Sequence, residues 1–315
     1  MRALVTGGTG FIGSNIALDL YGRGIDVVVT GNESEQKLPE GIKRLYPTVY
    51  GIDWSSLGKF DVLFHQAALN ETTNLDCGEM MFANYDSSVR LFNYAIANGC
   101  KNIVYASSTA VYGDVPAPYK EDGPVNPLNP YAVSKLKLDE FVRDIADKYD
   151  TKIVGLRYCN VYGPGESHKG KRASMIYQLA QQMKSGKPNL FAPGTQKRDW
   201  IYVKDVVEAN ILASEAKESC IVNCGSGKAT TFNDIVGFLD EVVDKIISYR
   251  YVTPGLVVSE VVNRDPFYIS NPYGDRYQDY TECDMSLAKD KIGFVPRYGI
   301  RGGIRDFYDS GFLLK

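Results

Sequence analysis

The sequence predicts an α/β fold, a doubly wound parallel sheet followed by a smaller α/β domain, on three observations. Short apolar runs alternate with amphipathic helical stretches through the first half, a glycine-rich loop follows the first run, and the periodicity loosens after residue 165. Alternating strands and helices predict βαβ units, in which successive strands are parallel. We therefore predict a Rossmann-type domain over residues 1–165 and a second, mainly substrate-binding domain over 166–315, from which the chain can return to the first sheet.

The individual elements follow from the length and the period of each apolar segment. Short apolar runs predict strands, and longer stretches with apolar positions three and four residues apart predict helices. In the first domain the predicted strands are 2–6, 27–30, 61–65, 103–106 and 152–157, and the predicted helices are 13–22, 85–98 and 131–148. In the second domain we predict helices at 174–185, 206–213 and 232–246, strands at 189–191 and 220–224, and long loops between 252 and 280.

Composition places the chain among ordinary globular proteins. It has 315 residues, 44% of them hydrophobic and 23% charged, with a net charge of -3, which argues against a nucleic-acid partner. No apolar run approaches the roughly 20 residues of a membrane-spanning helix, and the first strand leaves no room for a cleaved signal, so we expect a cytoplasmic protein with no membrane partner. The six cysteines show no paired CxxC spacing, so we expect buried free thiols and no metal site.

The loop after the first strand carries glycines at positions 7, 10 and 13 and leads directly into a helix. Gly7 permits a tight turn, Gly10 allows a pyrophosphate to approach the backbone, and Gly13 allows the helix to pack closely. The N-terminus of the helix adds N–H donors and a partial positive charge. Strand, glycines and helix in this order predict dinucleotide binding, and thus a dinucleotide-binding domain over 1–165.

The end of the second strand leaves the choice between NAD and NADP open, with a slight preference for NAD. An acid that holds the ribose hydroxyls is usual at this point in NAD enzymes, whereas this chain has Thr30, Gly31 and Asn32. No arginine lies nearby to bind a 2′-phosphate. We take Asn32 as a cofactor contact, and Asp53 and Trp54 as candidates for the wall around the adenine, which are equally well residues of a surface loop.

Tyr131 and Lys135 are four residues apart on a predicted helix and therefore share a face. The strand at 103–106 leads to Ser107, Ser108 and Thr109 at its carboxyl end, the edge where ligands bind in an open parallel sheet. A neighbouring ammonium and a positively charged nicotinamide would stabilise a phenolate, so that Tyr131 could act as a base. Ser108 would hydrogen-bond the reacting oxygen, and Lys135 would also hold the nicotinamide ribose.

These motifs resemble the extended short-chain dehydrogenase/reductases, the NAD-dependent epimerases and dehydratases, over nearly the whole chain. Within that family, several segments are similar to those of the ADP-glyceromanno-heptose 6-epimerases. The segments are Phe64-His65-Gln66-Ala67-Ala68, Asn160-Val161-Tyr162-Gly163-Pro164, His168-Lys169-Gly170, the run from Lys197 to Val203, and Arg276-Tyr277-Gln278. The resemblance implies a substrate that is a nucleotide-diphosphate sugar, and a homo-oligomer formed through the helices at 85–98 and 131–148.

The resemblance also implies two acid/base groups, because the sugar is oxidised, turned and reduced on its opposite face. Tyr131 is one, and Lys169 is the other. From the residues alone, Lys169 is equally a solvated loop charge or a group that holds a diphosphate. The resemblance places on the cofactor side Phe11, Ile12, Gln66, Ala67, Ala68, Leu69, Lys135 and Val161. It places on the substrate side Asn70, Asn84, Ser108, Thr109, Asn160, Lys171, Phe191, Arg198 and Tyr277.

Three positions depart from the 6-epimerase pattern, which has serine where this chain has Asn70 and Lys171, and histidine where it has Gln178.

A UDP-hexose 4-epimerase is the alternative function, since it needs Ser108, Tyr131 and Lys135 but not Lys169. A net sugar-nucleotide dehydrogenase or a 4,6-dehydratase is a third possibility, although dehydratases of this type carry an Asp-Glu pair where Thr109 and Ala110 stand. A regulator that only senses the dinucleotide would typically have lost Tyr131 or Lys135.

Overall fold

The computed structural model describes residues 1–31, 37–46, 57–72, 74–250, 264–272 and 278–315. The strands are β1 (Arg2–Thr6), β2 (Asp26–Thr30), β3 (Lys43–Leu45), β4 (Val62–His65), β5 (Asn102–Ser108), β6 (Lys152–Tyr158), β7 (Asn160–Tyr162), β8 (Asn189–Phe191), β9 (Lys197–Tyr202), β10 (Cys220–Cys224), β11 (Ala229–Thr231) and β12 (Phe267–Ile269). The helices are α1 (Phe11–Gly22), α2 (Cys77–Met81), α3 (Ser87–Ala97), α4 (Pro130–Ile145), α5 (Met175–Ser185), α6 (Val203–Ser214), α7 (Phe232–Arg250), α8 (Ser286–Ile292) and α9 (Ile300–Asp309).

The central sheet has seven strands in the order β10-β6-β5-β4-β1-β2-β3, and every pair in it is parallel. The chain adds β2 and β3 on one side of β1 and then crosses to add β4 on the other side. Such a reversal opens a crevice at the carboxyl ends of the strands, where ligands bind in sheets of this kind. The predicted doubly wound fold is therefore confirmed, and the crevice lies at β1 and β4.

Two layers of helices cover the sheet. On one face, α1 and α6 pack together through residues such as Ile16, Ala17 and Val206. On the other face, α3 and α4 contribute Leu91, Phe92 and Leu138 to a separate apolar cluster. Both faces of the central strands are thus buried, which explains why these strands are nearly continuous apolar runs. Among the described residues, no helix combines the length and apolarity that crossing a bilayer requires.

Two smaller sheets lie outside the central one. In the first, β9 pairs in parallel with β7 and antiparallel with β11, and in the second β8 pairs with β12. Their core lies among α5, α7 and α9 and includes Leu179, Leu239 and Ile304. The chain does return from this region, because β10 joins the central sheet beside β6. The division at residue 165 stays a prediction, since β7 precedes it and already belongs to a small sheet.

Candidate active site

The glycine loop after β1 has little space for side chains. Gly7 has φ +64°, and a Cβ there would lie 2.8 Å from the backbone nitrogen of Ala67, after β4. A Cβ on Gly13 would lie 2.2 Å from the carbonyl oxygen of Gly7. A Cβ on Gly10 would meet only that same oxygen, at 3.2 Å, so its surroundings are open. Gly7 and Gly13 are therefore required by packing, and the loop is left accessible at Gly10, at the N-terminus of α1.

The missing acid after β2 has a steric explanation. Gly31 has φ +136°, and a Cβ at this position would lie 2.0 Å from Oγ1 of Thr9 in the glycine loop. A larger residue at position 31 would therefore collide with the cofactor loop. Three predicted cofactor contacts, Asn32, Asp53 and Trp54, lie outside the described residues.

A buried histidine links the ends of β1 and β4. Nδ1 of His65 lies 2.7 Å from Oγ1 of Thr6, and Nε2 lies 2.8 Å from Oγ of Ser88 on α3. Burial, together with the nearby Lys135, lowers the pKa of His65 to about 3. The imidazole is therefore neutral at physiological pH and acts as a fixed connection between two strand ends and a helix.

The segment after β4 is held from two sides. Leu69 donates its backbone N–H to Oδ1 of Asn84 over 2.8 Å, and Nδ2 of Asn84 donates to the Leu69 carbonyl over 2.9 Å. Gln66 contacts Asn210 of α6 and accepts a hydrogen bond from the hydroxyl of Tyr158 at 3.1 Å. The predicted cofactor residues Ala67 and Ala68 lie between these two fixed points and are half-buried. Asn84, predicted as a substrate contact, thus has its amide engaged with the cofactor segment.

Ser108, Tyr131 and Lys135 come together at the carboxyl end of β5. Oγ of Ser108 accepts the N–H of Ala110 at 3.1 Å and lies close enough to the hydroxyl of Tyr131 to influence the pKa of that phenol. Nζ of Lys135 lies 5.8 Å from the centroid of the Tyr131 ring and donates to the carbonyl of Ala106 over 2.8 Å. Helix α4 can begin here because Asn129 caps it and Pro130 occupies its first turn. The trio therefore joins a strand end to the first turns of a helix.

Burial dominates the electrostatics of the trio. It raises the pKa of the Tyr131 phenol above the usual value, and the hydrogen bond from Ser108 opposes this shift. Lys135 is only 2% exposed, and burial lowers its pKa to about 8, against the influence of Asp139. The expected effect of the Lys135 ammonium joined to a nicotinamide cation stays a prediction; within the protein, desolvation of the phenolate outweighs the opposing effect of Ser108.

Lys169 is placed beside the glycine loop. Its Nζ lies 5.3 Å from the centroid of the Phe11 ring, in the first turn of α1. Burial lowers the pKa of Lys169, and Glu166 opposes that shift while Arg172 adds to it. The loop carrying Lys169 also contacts α1 directly, since Nδ2 of Asn15 donates to the carbonyl of Pro164 over 2.9 Å. The ammonium of Lys169 thus lies against Phe11, which the sequence predicted as a cofactor contact.

The remaining predicted residues spread around the same edge. Oγ1 of Thr109 donates to the carbonyl of Tyr158 over 3.1 Å, and Nδ2 of Asn160 donates to the carbonyl of Asp199 over 3.1 Å. The guanidinium of Arg198 lies 5.8 Å from the centroid of the Phe232 ring and is buried. Half-buried positions are Ile12, Val161 and Phe191, and exposed positions are Asn70 and Lys171. Tyr277 lies outside the described residues.

The cysteines are all free, but Cys77 is exposed, whereas we expected all six to be buried. In the part of the chain that the structure describes, one group could hold a metal: the ligand atoms of Cys159, Asp199 and Cys283 lie within 4.8 Å of one another. The Asp199 carboxylate, however, already accepts the N–H and Oγ–H of Ser226 and the N–H of Cys283. This cluster therefore connects β9 to two loops and has its carboxylate oxygens occupied by donors.

A comparison with protein-family models connects this arrangement to known proteins. The model of the NAD dependent epimerase/dehydratase family matches residues 3–225, well over half of the chain. The chain belongs to this family. The match includes the glycine loop, the trio at the end of β5 and the Lys169 loop.

Individual family members are similar over nearly their full length. The chain is 33% identical to an ADP-L-glycero-D-manno-heptose-6-epimerase from Alkalilimnicola ehrlichii, over 98% of this chain and 96% of the relative. The crystal structure of the Helicobacter pylori ADP-L-glycero-D-manno-heptose-6-epimerase matches with a TM-score of 0.84 and 32% identity, covering 98% and 95% of the two chains. A UDP-glucose 4-epimerase from Thermotoga maritima, with UDP-glucose, matches with a TM-score of 0.84 and 27% identity over 99% of both chains.

Two features of this family member were not predicted from its sequence. Asn84 connects the segment after β4 to α4, because its Nδ2 also lies 3.1 Å from Oγ of Ser134, next to Lys135. Glu166 lies buried beneath the loop that carries Lys169. The only available sequence signal for Glu166 was a carboxylate three positions before a candidate base, which is common in polar loops.

Proposed function

We propose that this member of the NAD dependent epimerase/dehydratase family is a nucleotide-sugar epimerase that works through transient oxidation, and that its reaction is most like 6-epimerisation of a nucleotide-linked heptose. The observation that carries the proposal is that the end of β5 brings Ser108 close to the Tyr131 phenol, beside Lys135 and next to the crevice between β1 and β4. The similarity to two heptose 6-epimerases supports the choice of sugar.

The glycine loop fits a dinucleotide, NAD or NADP, with a slight preference for NAD. The open surroundings of Gly10 and the free N-terminus of α1 would receive its pyrophosphate, and Lys135 would hold the ribose next to the nicotinamide. When bound, the oxidised dinucleotide accepts a hydride and brings a positive ring close to the phenol. The positions of Gly10, the N-terminus of α1 and Lys135 thus support a role for each in cofactor binding.

The trio would then perform the first proton transfer. Tyr131 takes the proton from the sugar hydroxyl as the hydride leaves the same carbon, and Ser108 hydrogen-bonds the sugar oxygen so that it is oriented toward the phenol. The buried ammonium of Lys135 stabilises the phenolate. After the carbonyl group turns so that its opposite face can take the hydride back, Lys169 would donate a proton to the oxygen in its new orientation. Proton exchange with water would then return Tyr131 and Lys169 to their starting states.

The diphosphate of the substrate needs positive charge on the other side of the site. Arg198 suits this task, since a planar guanidinium can donate two parallel hydrogen bonds to a phosphate. It extends from β9, next to the strand β7 that carries Asn160. We infer that Asn160, Phe191 and Arg198 bind the nucleotide part, with Thr109 nearer to the sugar.

One observation favours a UDP-hexose 4-epimerase instead. Nζ of Lys169 lies over the ring of Phe11, beside the glycine loop, where it could hold a diphosphate rather than exchange protons with a sugar. The fold resemblance to the UDP-glucose 4-epimerase is as high as that to the heptose enzyme. Replacement of Lys169 separates the two possibilities, because only the 6-epimerase needs a second base.

A substrate panel tests the proposal. Purified protein is incubated with ADP-heptose, GDP-heptose, UDP-glucose and UDP-galactose, while sugar configuration and absorbance at 340 nm are both followed. An epimerase inverts one substrate without accumulating reduced cofactor, whereas a dehydrogenase accumulates it. Inversion of ADP-heptose supports the 6-epimerase, inversion of a UDP-hexose supports the alternative, and steady accumulation of reduced cofactor contradicts both.

We also infer a homo-oligomer that uses the helices at 85–98 and 131–148. Val133 of α4 is 37% exposed, and Phe82, just before the first of these helices, is 47% exposed. Sedimentation velocity would detect the oligomer, and Val133→Glu should dissociate it. We further infer that the protein works in the cytoplasm, a reducing compartment that suits its six free cysteines.

A further inference from the structure

The loop that carries Lys169 runs from Gly163 to Ser174, and one buried carboxylate connects its two ends. Glu166 is only 1% exposed. Its Oε1 accepts the N–H of Gly163 at 3.0 Å and the hydroxyl of Ser174 at 2.9 Å, and its Oε2 accepts the N–H of Ser174 at 2.5 Å. Three donors from both ends of the loop therefore converge on a single side chain.

Both ends of the loop are fixed to the rest of the protein. Gly163 packs so closely against α6 that a Cβ would lie 2.6 Å from Cγ1 of Val203. Ser174 caps α5, since its hydroxyl accepts the N–H of Tyr177 at 3.2 Å. The loop between them contains a kinked turn over Ser167–Arg172, with Gly170 at φ 54°. The conformation of the segment bearing Lys169 thus depends strongly on Glu166.

Glu166 also acts on Lys169 itself. The backbone carbonyl of Glu166 accepts the N–H of Lys169 at 3.0 Å, which fixes the start of the turn. The carboxylate is the negative charge that opposes the effect of burial on the pKa of Lys169, and Lys169 in turn counteracts the rise in the pKa of Glu166. A carboxylate suits this place because all three of its partners are donors. A glutamine amide would turn its own N–H groups toward one of them.

We propose that Glu166 is a positioning residue for Lys169: it holds both ends of the loop and thereby sets the place of the ammonium beside Phe11. The inference rests on the proposed function, in which Lys169 is the second acid/base group. It adds to that function a residue whose loss should affect the second half of the reaction and spare the first. The first hydride transfer depends on Ser108, Tyr131 and Lys135, which lie on other elements.

The test compares Glu166→Gln, Ser174→Ala and Lys169→Ala with Glu215→Gln, the same chemical change at an exposed position. All are assayed as cofactor-loaded protein with the substrate identified by the panel. Inversion is measured in the steady state, and the first hydride transfer as the 340 nm transient after rapid mixing. Circular dichroism and thermal melting show which variants are folded.

We expect Glu166→Gln to slow inversion at least tenfold, with KM changed less than threefold and the rate of the 340 nm transient retained, as in Lys169→Ala. Ser174→Ala keeps the charge of Glu166 but removes the hydroxyl that donates to Glu166 and accepts the N–H of Tyr177. It should slow inversion two- to fivefold, and it serves as the test if Glu166→Gln does not fold. Glu215→Gln should behave as wild type. A purely structural role would reduce the transient and inversion together.

The outcomes separate this proposal from the function on which it rests. If Lys169→Ala fails to invert the sugar while folded Glu166→Gln inverts it at the wild-type rate, the role of Glu166 is overturned and the second base stands. If Glu166→Gln does not fold and Ser174→Ala inverts at the wild-type rate, the role of Glu166 is likewise overturned. If Lys169→Ala itself inverts the sugar normally, the role of Lys169 as second base and the positioning role of Glu166 are both overturned.

Discussion

Ser108, at the end of β5, lies close enough to Tyr131, in the first turn of α4, to influence the pKa of its phenol, and Nζ of Lys135 lies 5.8 Å from the centroid of the same ring. Oγ of Ser108 also accepts the N–H of Ala110 at 3.1 Å, which fixes the hydroxyl at the end of the strand. The two side chains therefore share one place at which a sugar oxygen can be bound by both.

Replacement of these two residues should have unequal effects. Tyr131→Phe removes the proton acceptor, so we expect turnover to fall by about 100-fold or more, the usual range for loss of a general base. Ser108→Ala removes one neutral hydrogen bond of about 1.4 kcal/mol, which corresponds to roughly a tenfold loss. Steady-state kinetics with the preferred substrate measure both, and unchanged cofactor binding is the control. Wild-type turnover in Tyr131→Phe would contradict the mechanism.

The pH dependence should report on Lys135. Its pKa is lowered to about 8 by burial, so the ammonium that stabilises the phenolate is present below that pH and is lost above it. We expect kcat/KM to decline above about pH 8. Lys135→Arg, which stays protonated, should remove this alkaline decline even if it lowers the maximal rate. Lys137→Gln, an exposed change on the same helix, should keep the wild-type profile; an unchanged decline in Lys135→Arg would exclude Lys135 as its origin.

The same shift has a consequence for folding. The pKa of Lys135 is about 8 in the folded protein and 10.5 for an ordinary lysine. Between these two pH values, the unfolded chain holds a proton that folded Lys135 has released. Stability rises with pH wherever the unfolded state binds more protons, so this residue makes a contribution to stability that increases through that window. Urea unfolding of wild type and Lys135→Met across the window measures it, and equal slopes in the two proteins would contradict the assigned shift.

The sequence predicted the central sheet better than the small ones. Strands β1 and β10 have the predicted bounds, because buried parallel strands are nearly continuous apolar runs. Strand β9 was recognised as a motif but not as a strand, since it begins with Lys197, Arg198 and Asp199 and looks polar. Arg198 and Asp199 are buried nonetheless, and Asp199 accepts donors from residues such as Ser226, far along the chain. A local pattern cannot show such distant partners.

The sequence likewise predicted only part of the candidate site. Motif spacing indicated Tyr131 and Lys135, because helical periodicity places them on one face, and strand order indicated Ser108. Spacing could not indicate Glu166, whose role depends on the three-dimensional meeting of Gly163 and Ser174. It also could not indicate that burial would raise the pKa of the phenol, since that effect depends on everything packed around it.

Two glycines of α1 should respond oppositely to the same substitution. A Cβ on Gly13 would lie 2.2 Å from the Gly7 carbonyl oxygen, so Gly13→Ala should displace the loop, weaken dinucleotide binding at least tenfold and lower the melting temperature. Around Gly22 there is no atom within 4 Å of the added carbon. Gly22→Ala should therefore leave binding unchanged and stabilise the helix by up to about 1 kcal/mol. Equal behaviour of the two variants would contradict the packing requirement at Gly13.

Introducing the missing acid at position 31 by itself should not make the protein select NAD over NADP. In Gly31→Asp the new Cβ would lie 2.0 Å from Oγ1 of Thr9, at a φ of +136° that side chains rarely adopt. We expect this variant to bind both dinucleotides at least tenfold more weakly. Thr9→Gly/Gly31→Asp relieves the collision and leaves only backbone strain of about 1–3 kcal/mol. Its carboxylate can then hold the ribose hydroxyls and repel a 2′-phosphate, so NAD binding should recover more than NADP binding.

Fluorescence titrations with both dinucleotides measure the two affinities, with Thr9→Gly as the control. Tighter NAD binding by Gly31→Asp alone would show that Thr9 yields easily and that the collision does not explain the glycine.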